Sequence, residues 1–446
     1  MNPSPEDLAA LSSDVDDTFR LRLAQALSER GDPRGEFIQV QCALAKMKPE
    51  PSAQTLRARE ASLLAEHEAT WLAELGLLPG DAVFARGFVD RVTVDASRAH
   101  GVYARLIRQE PVRALGLRVD LGGSEEQLPL LLEEIRHTGF APSLERLTLD
   151  RKNYWDVIHD DELELRRQGT KLLGLSLDLD DFGRADSGLA LLDIALTSPD
   201  AALLETLGIK LTGRGSNPLE ALLQTLERAG ARPSLREWTL EFSCPNGREW
   251  IRWVQLDSLS RLLALYPKLQ TLVLPMTELQ AVHVEHPELR ELSLHWLGLI
   301  PCGPSDLSQW KPAPVPKGTG LQFLREAHLP KLERLHIDFQ YEWYIAWTPE
   351  DLAPLFEAKG LPSLRQLELR NCAFGDMLCH GLVRMEHFPS LQVLDLTGVI
   401  LTDEGAATLT RHRDRFPRLK QLVCGPWGLS ESAWNALEKR YPVTVP

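Results

Sequence analysis

Few residues in this sequence have the types and spacing that catalysis or metal binding requires. Two histidines flank an acid in His283-Val284-Glu285-His286, but the zinc-binding His-Glu-x-x-His motif needs its ligands one helical turn apart, which this spacing does not supply. The segment from Asp178 to Gly183 begins like a calcium loop, yet Phe182 and Leu189 occupy positions that need oxygen ligands. We therefore expect no metal and no other cofactor, and we interpret residues 283–286 as a solvated loop.

Aromatic side chains are a stronger candidate for binding. The sequence has 11 tryptophans, and seven of them fall in loops that follow predicted strands. Tryptophan and tyrosine dominate the hot spots of protein interfaces, although long loops also use large side chains to build satellite cores. We hypothesise a partner site in the middle and C-terminal half of the chain. Its candidate residues are Trp155, Glu241, Trp250, Trp253, His295, Trp296, Arg334, Asp338, Trp343 and Trp347.

The composition disfavours several classes of protein. The 446 residues are 43% hydrophobic and 25% charged, as in an ordinary globular chain, and no apolar run approaches the roughly 18 residues of a membrane span. The formal net charge of -14 disfavours binding to a phosphate backbone. Six cysteines are too sparse for a disulfide scaffold, and the N-terminus lacks the features of a secretory signal. We expect a cytoplasmic protein that binds neither nucleic acid nor membrane.

One pattern recurs along most of the chain. A proline is followed by a leucine and then by two alternating apolar residues, as in the segment from Pro142 to Leu149. Alternating apolar residues form one face of a short strand, and the proline ends the preceding helix. Twelve copies, some without the proline, predict parallel strands centred near residues 93, 116, 148, 176, 208, 239, 273, 293, 336, 368, 395 and 423.

The spacing of the copies predicts what lies between the strands. Most neighbouring copies are 27 to 34 residues apart, which leaves room for one helix and two turns. Parallel strands joined by helices have right-handed crossovers, and a fixed period stacks them into a solenoid. The 20-residue gap from Leu269 to Leu289 is too short for a full helix, and the 43-residue gap after Leu289 contains an insertion, Pro301 to Gly320.

This strand pattern, with a further apolar residue such as Phe374 or Leu401 five positions on, resembles the leucine-rich repeat. The near-28-residue period resembles the ribonuclease-inhibitor-like class of that family. The resemblance implies an α/β fold: a curved horseshoe with parallel strands on its concave face and helices mostly on its convex face. We assign residues 81–428 to this solenoid of about twelve repeats. The repeats are degenerate, because only Cys372 clearly fills the family's asparagine or cysteine position.

The two ends of the chain depart from the repeat. Residues 1–80 have helical periodicity, with Asp32 as a helix cap and Pro33 at the first position of the helix. The string from Glu29 to Ile38 resembles the bacterial repeat-companion domain, which precedes leucine-rich and similar repeats. That resemblance implies a helical module that covers the first strand's edge. Residues 429–446 predict a capping helix that begins at Ser430.

The predicted solenoid also identifies a surface, because strand residues between the apolar ones face its concave side. Nine acids and six bases occupy these positions: Arg91, Asp95, Arg118, Arg146, Asp150, Asp178, Lys210, Glu237, Glu241, Glu291, Arg334, Asp338, Glu368, Arg370 and Asp395. The mixture fits either a solvated sheet face or a surface for a protein partner.

Three functional hypotheses follow from the sequence. The leading one is a non-catalytic scaffold or adaptor for protein–protein interaction, because a solenoid has a large preformed surface. The second is an acidic inhibitor or immunity-type protein that blocks a basic enzyme, which the net charge of -14 suggests. The third is an enzyme or an enzyme accessory subunit, which would need a deep pocket with convergent titratable groups.

Overall fold

The structure is a computed structural model that describes residues 7, 11, 17–47, 53–120, 128–152, 158–168, 171–180, 186–212, 219–243, 259–276, 284–296, 313–314, 321–339, 345–385 and 389–446. The chain forms two compact units. Unit 1 comprises Met1–Asp180 and Arg184–Leu204, and unit 2 comprises Asp181–Gly183 and Glu205–Pro446. None of the helices in the described ranges is both long and apolar enough to cross a membrane.

Unit 1 begins with helices and continues as an open sheet. The helices are α1 (Thr18–Glu29), α2 (Pro33–Lys46), α3 (Gln54–Leu75), α4 (Ala96–Ala99), α5 (Val102–Gln109), α6 (Leu128–Thr138) and α7 (Asp186–Thr197). The strands are β1 (Ala82–Ala85), β2 (Phe88–Asp95), β3 (Ala114–Asp120), β4 (Arg146–Lys152), β5 (Ile158–Gln168) and β6 (Lys171–Asp180). Their order in the sheet follows the sequence.

Unit 2 repeats the alternation of strand and helix. Its main strands are β7 (Thr206–Thr212), β8 (Glu237–Ser243), β9 (Thr271–Met276), β10 (Glu291–Trp296), β12 (Arg334–Asp338), β14 (Gln366–Arg370), β15 (Val393–Asp395), β16 (Gln421–Val423) and β17 (Val443–Thr444), and they too are ordered as in the sequence. A separate pair consists of β11 (Ala313–Pro314) and β13 (Ile345–Ala346). The helices are α8 (Leu219–Ala229), α9 (Leu259–Leu265), α10 (Pro349–Phe356), α11 (Gly375–Leu382), α12 (Asp403–Arg411) and α13 (Glu431–Arg440).

Parallel register places the leucines of successive strands opposite one another. One such row in unit 2 consists of Leu272, Leu292, Leu335, Leu367, Leu394 and Leu422. None of these side chains is more than 3% exposed, and burying each one stabilises the fold by roughly 1.5–3 kcal/mol. Strands are present at all twelve predicted positions, and the pattern leucines Leu147, Leu292, Leu367 and Leu394 are buried.

Strand β5 corrects the prediction of an unbroken parallel array. It pairs antiparallel with both β4 and β6, so the strands predicted near residues 148 and 176 are not direct neighbours. The physical reason is the alternating pattern of this segment, in which Glu162 and Glu164 each precede a buried leucine, Leu163 and Leu165. This segment falls between two copies of the repeat, where a helix is expected from the spacing alone.

The first and last strands of the chain also differ from the repeat. In unit 1, β1 pairs antiparallel with β2 through the two-residue turn Arg86-Gly87. Both residues have positive φ, 51° and 87°, as a type I′ hairpin requires. In unit 2, Ser430 caps α13 by accepting a hydrogen bond from the Ala433 amide, as predicted. Strand β17 then pairs parallel with β16. Strand β17 is too short to be predicted from the pattern.

Two glycines allow close approach between elements of unit 1. A β-carbon at Gly35 of α2 would overlap Ala24 and Ser28 of α1. A β-carbon at Gly87 would likewise overlap Ile38 of α2, which holds the hairpin turn against that helix. The Gly87 amide also donates to the side-chain oxygen of Gln41 at 2.5 Å. These contacts explain why helix α2 needs glycine at position 35 and the hairpin turn needs it at position 87.

The Arg34 side chain connects helix α2 to the first strands of unit 1 through hydrogen bonds and ring contacts. Its guanidinium donates to both carboxylate oxygens of Glu110, at 3.0 and 3.2 Å, and to the Gly87 carbonyl at 2.7 Å. It also lies over the rings of Trp71 and Phe84, at 5.0 and 5.1 Å from their centroids. Glu110 is buried, and that burial raises the pKa of its carboxyl although Arg34 opposes the shift.

We predict that Arg34→Gln destabilises the protein by about 3–5 kcal/mol, because it leaves the Glu110 carboxylate buried without its cationic partner. The control is Arg59→Gln, since Arg59 pairs with Glu36 in solvent and should leave the free energy of unfolding nearly unchanged. Chemical denaturation monitored by circular dichroism measures both. Equal stability of Arg34→Gln and wild type would show that this pair does not hold the helices in place.

Candidate functional site

The best-defined polar surface of unit 2 is one face of strands β10, β12, β14 and β15. We call it the unit 2 polar face, and it consists of Glu291, Ser293, His295, Arg334, His336, Asp338, Gln366, Glu368, Arg370 and Asp395. Side chains alternate along a strand, so these residues lie opposite the buried leucine row. The central row across the strands is Ser293, His336, Glu368 and Asp395.

Glu368 is at the centre of a network of charged side chains. It is only 1% exposed, and one of its oxygens accepts hydrogen bonds from Arg334 at 2.5 Å and from Gln366 at 2.7 Å. Its other oxygen lies 2.9 Å from the guanidinium of Arg370. A buried carboxylate is tolerated only when it is paired and hydrogen-bonded. The burial of Glu368 therefore fixes the position of all three partners.

The same network extends to Asp395 on the next strand. Two nitrogens of Arg370 lie 2.6 and 3.1 Å from one oxygen of Asp395. The other oxygen accepts from the amide and the hydroxyl of Thr397, at 2.8 and 2.6 Å. Charge-assisted hydrogen bonds of this length are roughly twice as strong as neutral ones, so Arg370 is held between two carboxylates.

Asp338 is anchored by a residue in an uncommon backbone conformation. Asn371, just after β14, has φ 54°, in the left-handed region that asparagine tolerates better than most residues. Its side-chain amide lies 3.0 Å from both carboxylate oxygens of Asp338. The turn at the end of β14 therefore orients a side chain of β12.

His295 and His336 pack against each other on this face. Their ring centroids are 5.2 Å apart and the rings are nearly perpendicular, at 82°. Burial lowers the pKa of His336 below 6.5; Glu368 opposes that shift and His295 adds to it. Burial therefore favours the neutral form of the His336 ring. Its Nε2 atom is enclosed and has no hydrogen-bond partner among the residues that the structure describes.

The central row has the residue types of a catalytic triad but not its geometry. Ser293, His336 and Glu368 are adjacent in register, whereas a triad requires hydrogen bonds from nucleophile to base and from base to acid. Nε2 of His336 receives no hydrogen bond from Ser293. The Glu368 carboxylate is already occupied by Arg334, Gln366 and Arg370. This arrangement suits recognition by fixed charges better than proton transfer.

The predicted site residues fall into three groups. His295, Arg334 and Asp338 lie together on the unit 2 polar face, and Glu241 is exposed on β8. Trp296 ends β10, but its side chain lies outside the described part of the structure. The hypotheses for Trp155, Trp250, Trp253 and Trp343 likewise concern residues outside the described ranges.

Trp347 requires a correction. It is 7% exposed and packs against Phe339 and Phe374, with ring centroids 5.3 and 5.6 Å away. The two phenylalanines also contact each other edge-to-face at 5.2 Å. These three rings form a satellite core below the loop, so Trp347 cannot serve as an exposed anchor. The loop uses this tryptophan for packing, which was the alternative to a binding rim.

The interpretation of residues 283–286 as a solvated loop is wrong at His286. This histidine is 2% exposed, its Nε2 lies 3.0 Å from the Tyr266 carbonyl, and its Nδ1 lies 3.3 Å from the Glu288 amide. The neutral ring satisfies both contacts, and burial lowers its pKa. His286 is therefore a structural core residue, whereas His283 lies outside the described residues.

Several members of the polar face were missed as site residues. His336 was not singled out, and Glu368, Arg370 and Asp395 were recognised only as concave charges. Their alternation with the buried leucines was the available signal, since it places them on the same face as Arg334 and Asp338. The burial of Glu368 depends on its pairing with arginines of the same and the neighbouring strand. This pairing cannot be read from the sequence alone.

Likeness to known proteins is confined to structure. No family model matches the sequence, and no curated protein matches it. One similar solved structure is a protein from Bacteroides fragilis, determined by a structural genomics consortium, at 20% identity and a TM-score of 0.44. The match covers 60% of this chain and 72% of that chain.

We predict that His336 titrates below pH 6.5 in an NMR pH titration, and that Glu368→Gln lowers its pKa further. Removal of the carboxylate removes the charge that favours the protonated ring. Because the unfolded chain takes up this proton more readily, the His336 contribution to stability is present above pH 6.5 and is lost as the pH falls. Glu404→Gln, on α12, serves as the control. A His336 pKa at or above 6.5 would contradict this description of the face.

Proposed function

We propose that this protein is a non-catalytic scaffold or adaptor that binds a protein partner through the unit 2 polar face and the aromatic loops after its strands. The network around Glu368 is the observation that carries the proposal. Its charges are paired and fixed before a partner arrives, so little side-chain ordering opposes association. Polar groups held in place beside aromatic residues are typical of specific protein interfaces.

The architecture that we propose is a leucine-rich-repeat solenoid, a curved horseshoe with the polar face on its concave side. Support comes from the leucine rows, the sequential strand order within each unit, and the helices between most strands. In this proposal residues 1–80 are a repeat-companion-like module that covers an edge strand, and residues 429–446 are a cap. We also propose a bacterial, cytoplasmic protein that does not bind nucleic acid, as the net charge of -14 favours.

The second hypothesis, an acidic inhibitor of a basic enzyme, has weaker support. It requires a surface on which acids dominate, as their attraction would steer a basic partner. On the unit 2 polar face, Arg334 and Arg370 neutralise much of the charge of Glu368 and Asp395. Glu291 and Asp338 leave this face with a surplus of only two acids, and its central carboxylates are already paired with arginines, which favours the scaffold over the inhibitor.

The decisive variant is Ser293→Arg, which places a long cation in the central row beside His336. We predict that it weakens the partner's affinity at least about tenfold, because it disrupts the complementarity of a preformed surface. The partner is first identified by affinity capture from a lysate of the source bacterium with quantitative mass spectrometry. Fluorescence anisotropy with that purified partner then gives the dissociation constants.

Ser293→Ala is the matched control, because it alters the same position without adding bulk or charge. It should bind like wild type, and circular dichroism should show that both variants are folded. A partner that binds Ser293→Arg as tightly as wild type would place the interface on another surface. Failure to capture any partner with the wild-type chain would also count against the scaffold function.

A further inference from the structure

Unit 1 contains a groove whose charge is opposite to that of the chain as a whole. It has a volume of about 620 Å³, within the roughly 300–1,000 Å³ range of ligand-binding pockets. The groove lies across β2, β3, β4 and the end of β5. Its walls carry five arginines: Arg91, Arg113, Arg146, Arg166 and Arg167. The whole chain, by contrast, has a net charge of -14.

The shape of the groove follows from the register of unit 1. Arg91 of β2, Ala114 of β3 and Arg146 of β4 are side by side in the parallel sheet. The small side chain of Ala114 leaves a trough between two long cations, and parallel strands place their backbones roughly 10 Å apart. Glu164 of β5, opposite Arg146, bounds the trough on its far side.

Three acids in the groove do not cancel the five arginines. Asp90 accepts from Arg113 at 2.5 Å, and Arg91 reaches the same carboxylate only at 3.4 Å. Arg146 lies 2.6 Å from Glu162 and 3.0 Å from Glu164, and Glu145 is the third acid of the lining. The Arg91 side chain is 67% exposed. With Glu162 counted as well, five guanidinium groups against four carboxylates leave a surplus of one positive charge.

We propose that this groove binds an acidic, extended segment of a partner polypeptide. The planar fork of arginine matches a carboxylate in bidentate geometry, and a trough between strands suits an extended chain. The backbone amides of such a segment can donate to Asp90, Glu145 and Glu164, which line the same groove, whereas a phosphate backbone offers these carboxylates no donor. The side-chain carboxylates of the segment can pair with individual arginines. This site is additional to the proposed function and does not depend on the unit 2 polar face.

Fluorescence anisotropy with fluorescein-labelled deca-glutamate tests the proposal on the full chain. We expect saturable binding that weakens by about tenfold or more in the double variant Arg91→Gln/Arg166→Gln. Both arginines are exposed. In the double variant Asp90 keeps its closer partner, Arg113, and Glu164 keeps its partner, Arg146. The control Arg108→Gln/Arg261→Gln makes the same change in net charge at exposed positions outside the groove, and it should bind deca-glutamate like wild type.

Three results would overturn the proposal. One is an absence of saturable deca-glutamate binding to the wild-type protein. Another is an equal loss of affinity in the groove and control variants, which would indicate attraction by net charge alone. The third is tighter, groove-dependent binding of labelled deca-thymidine, which would assign the site to nucleic acid. The Ser293→Arg variant should bind deca-glutamate normally, so failure of this proposal is distinguishable from failure of the scaffold function.

Discussion

Parallel register between leucine-bearing strands is the constraint on which the rest of this structure depends. Leu335, Leu367 and Leu394 are fully buried in one row, and a slip of one residue would turn the whole row toward solvent. Because that register is fixed, the intervening residues must share the opposite face. The same constraint that stabilises unit 2 therefore brings together Arg334, Glu368 and the other members of the polar face.

Helix α2 of unit 1 is held by a different kind of contact, a partly buried cation with several partners. Asp32 caps α2 by accepting from the Arg34 amide, which fixes the helix start and thereby aims the guanidinium. Arg34 then satisfies Glu110 and stacks on Trp71 and Phe84. The sequence string that resembles the repeat-companion domain thus has a local physical explanation in capping, close packing and an ion pair with the buried Glu110.

The sequence predicted the strands well because a two-residue alternation next to proline is a local signal. It did not predict β5, whose alternation of Leu163 and Leu165 with glutamates lies outside the repeat period. The burial of Trp347 depends on Phe339 and Phe374, and the latter comes from the next repeat. Similarly, His295, Arg334 and Asp338 were identified individually, whereas the network around Glu368 exists only through pairing across strands. The hypotheses for Trp250, Trp253 and Trp343 remain predictions.

Hydrogen–deuterium exchange of the protein with and without its captured partner tests the scaffold account most directly. The account predicts slower exchange on partner binding in strands β10, β12 and β14 and in the segments that follow them, because association shields a preformed surface without refolding it. Strand β17 and helix α13 should exchange at unchanged rates. Protection confined to β17, α13 or other elements, with β10, β12 and β14 unaffected, would contradict the assignment of the partner site to the unit 2 polar face.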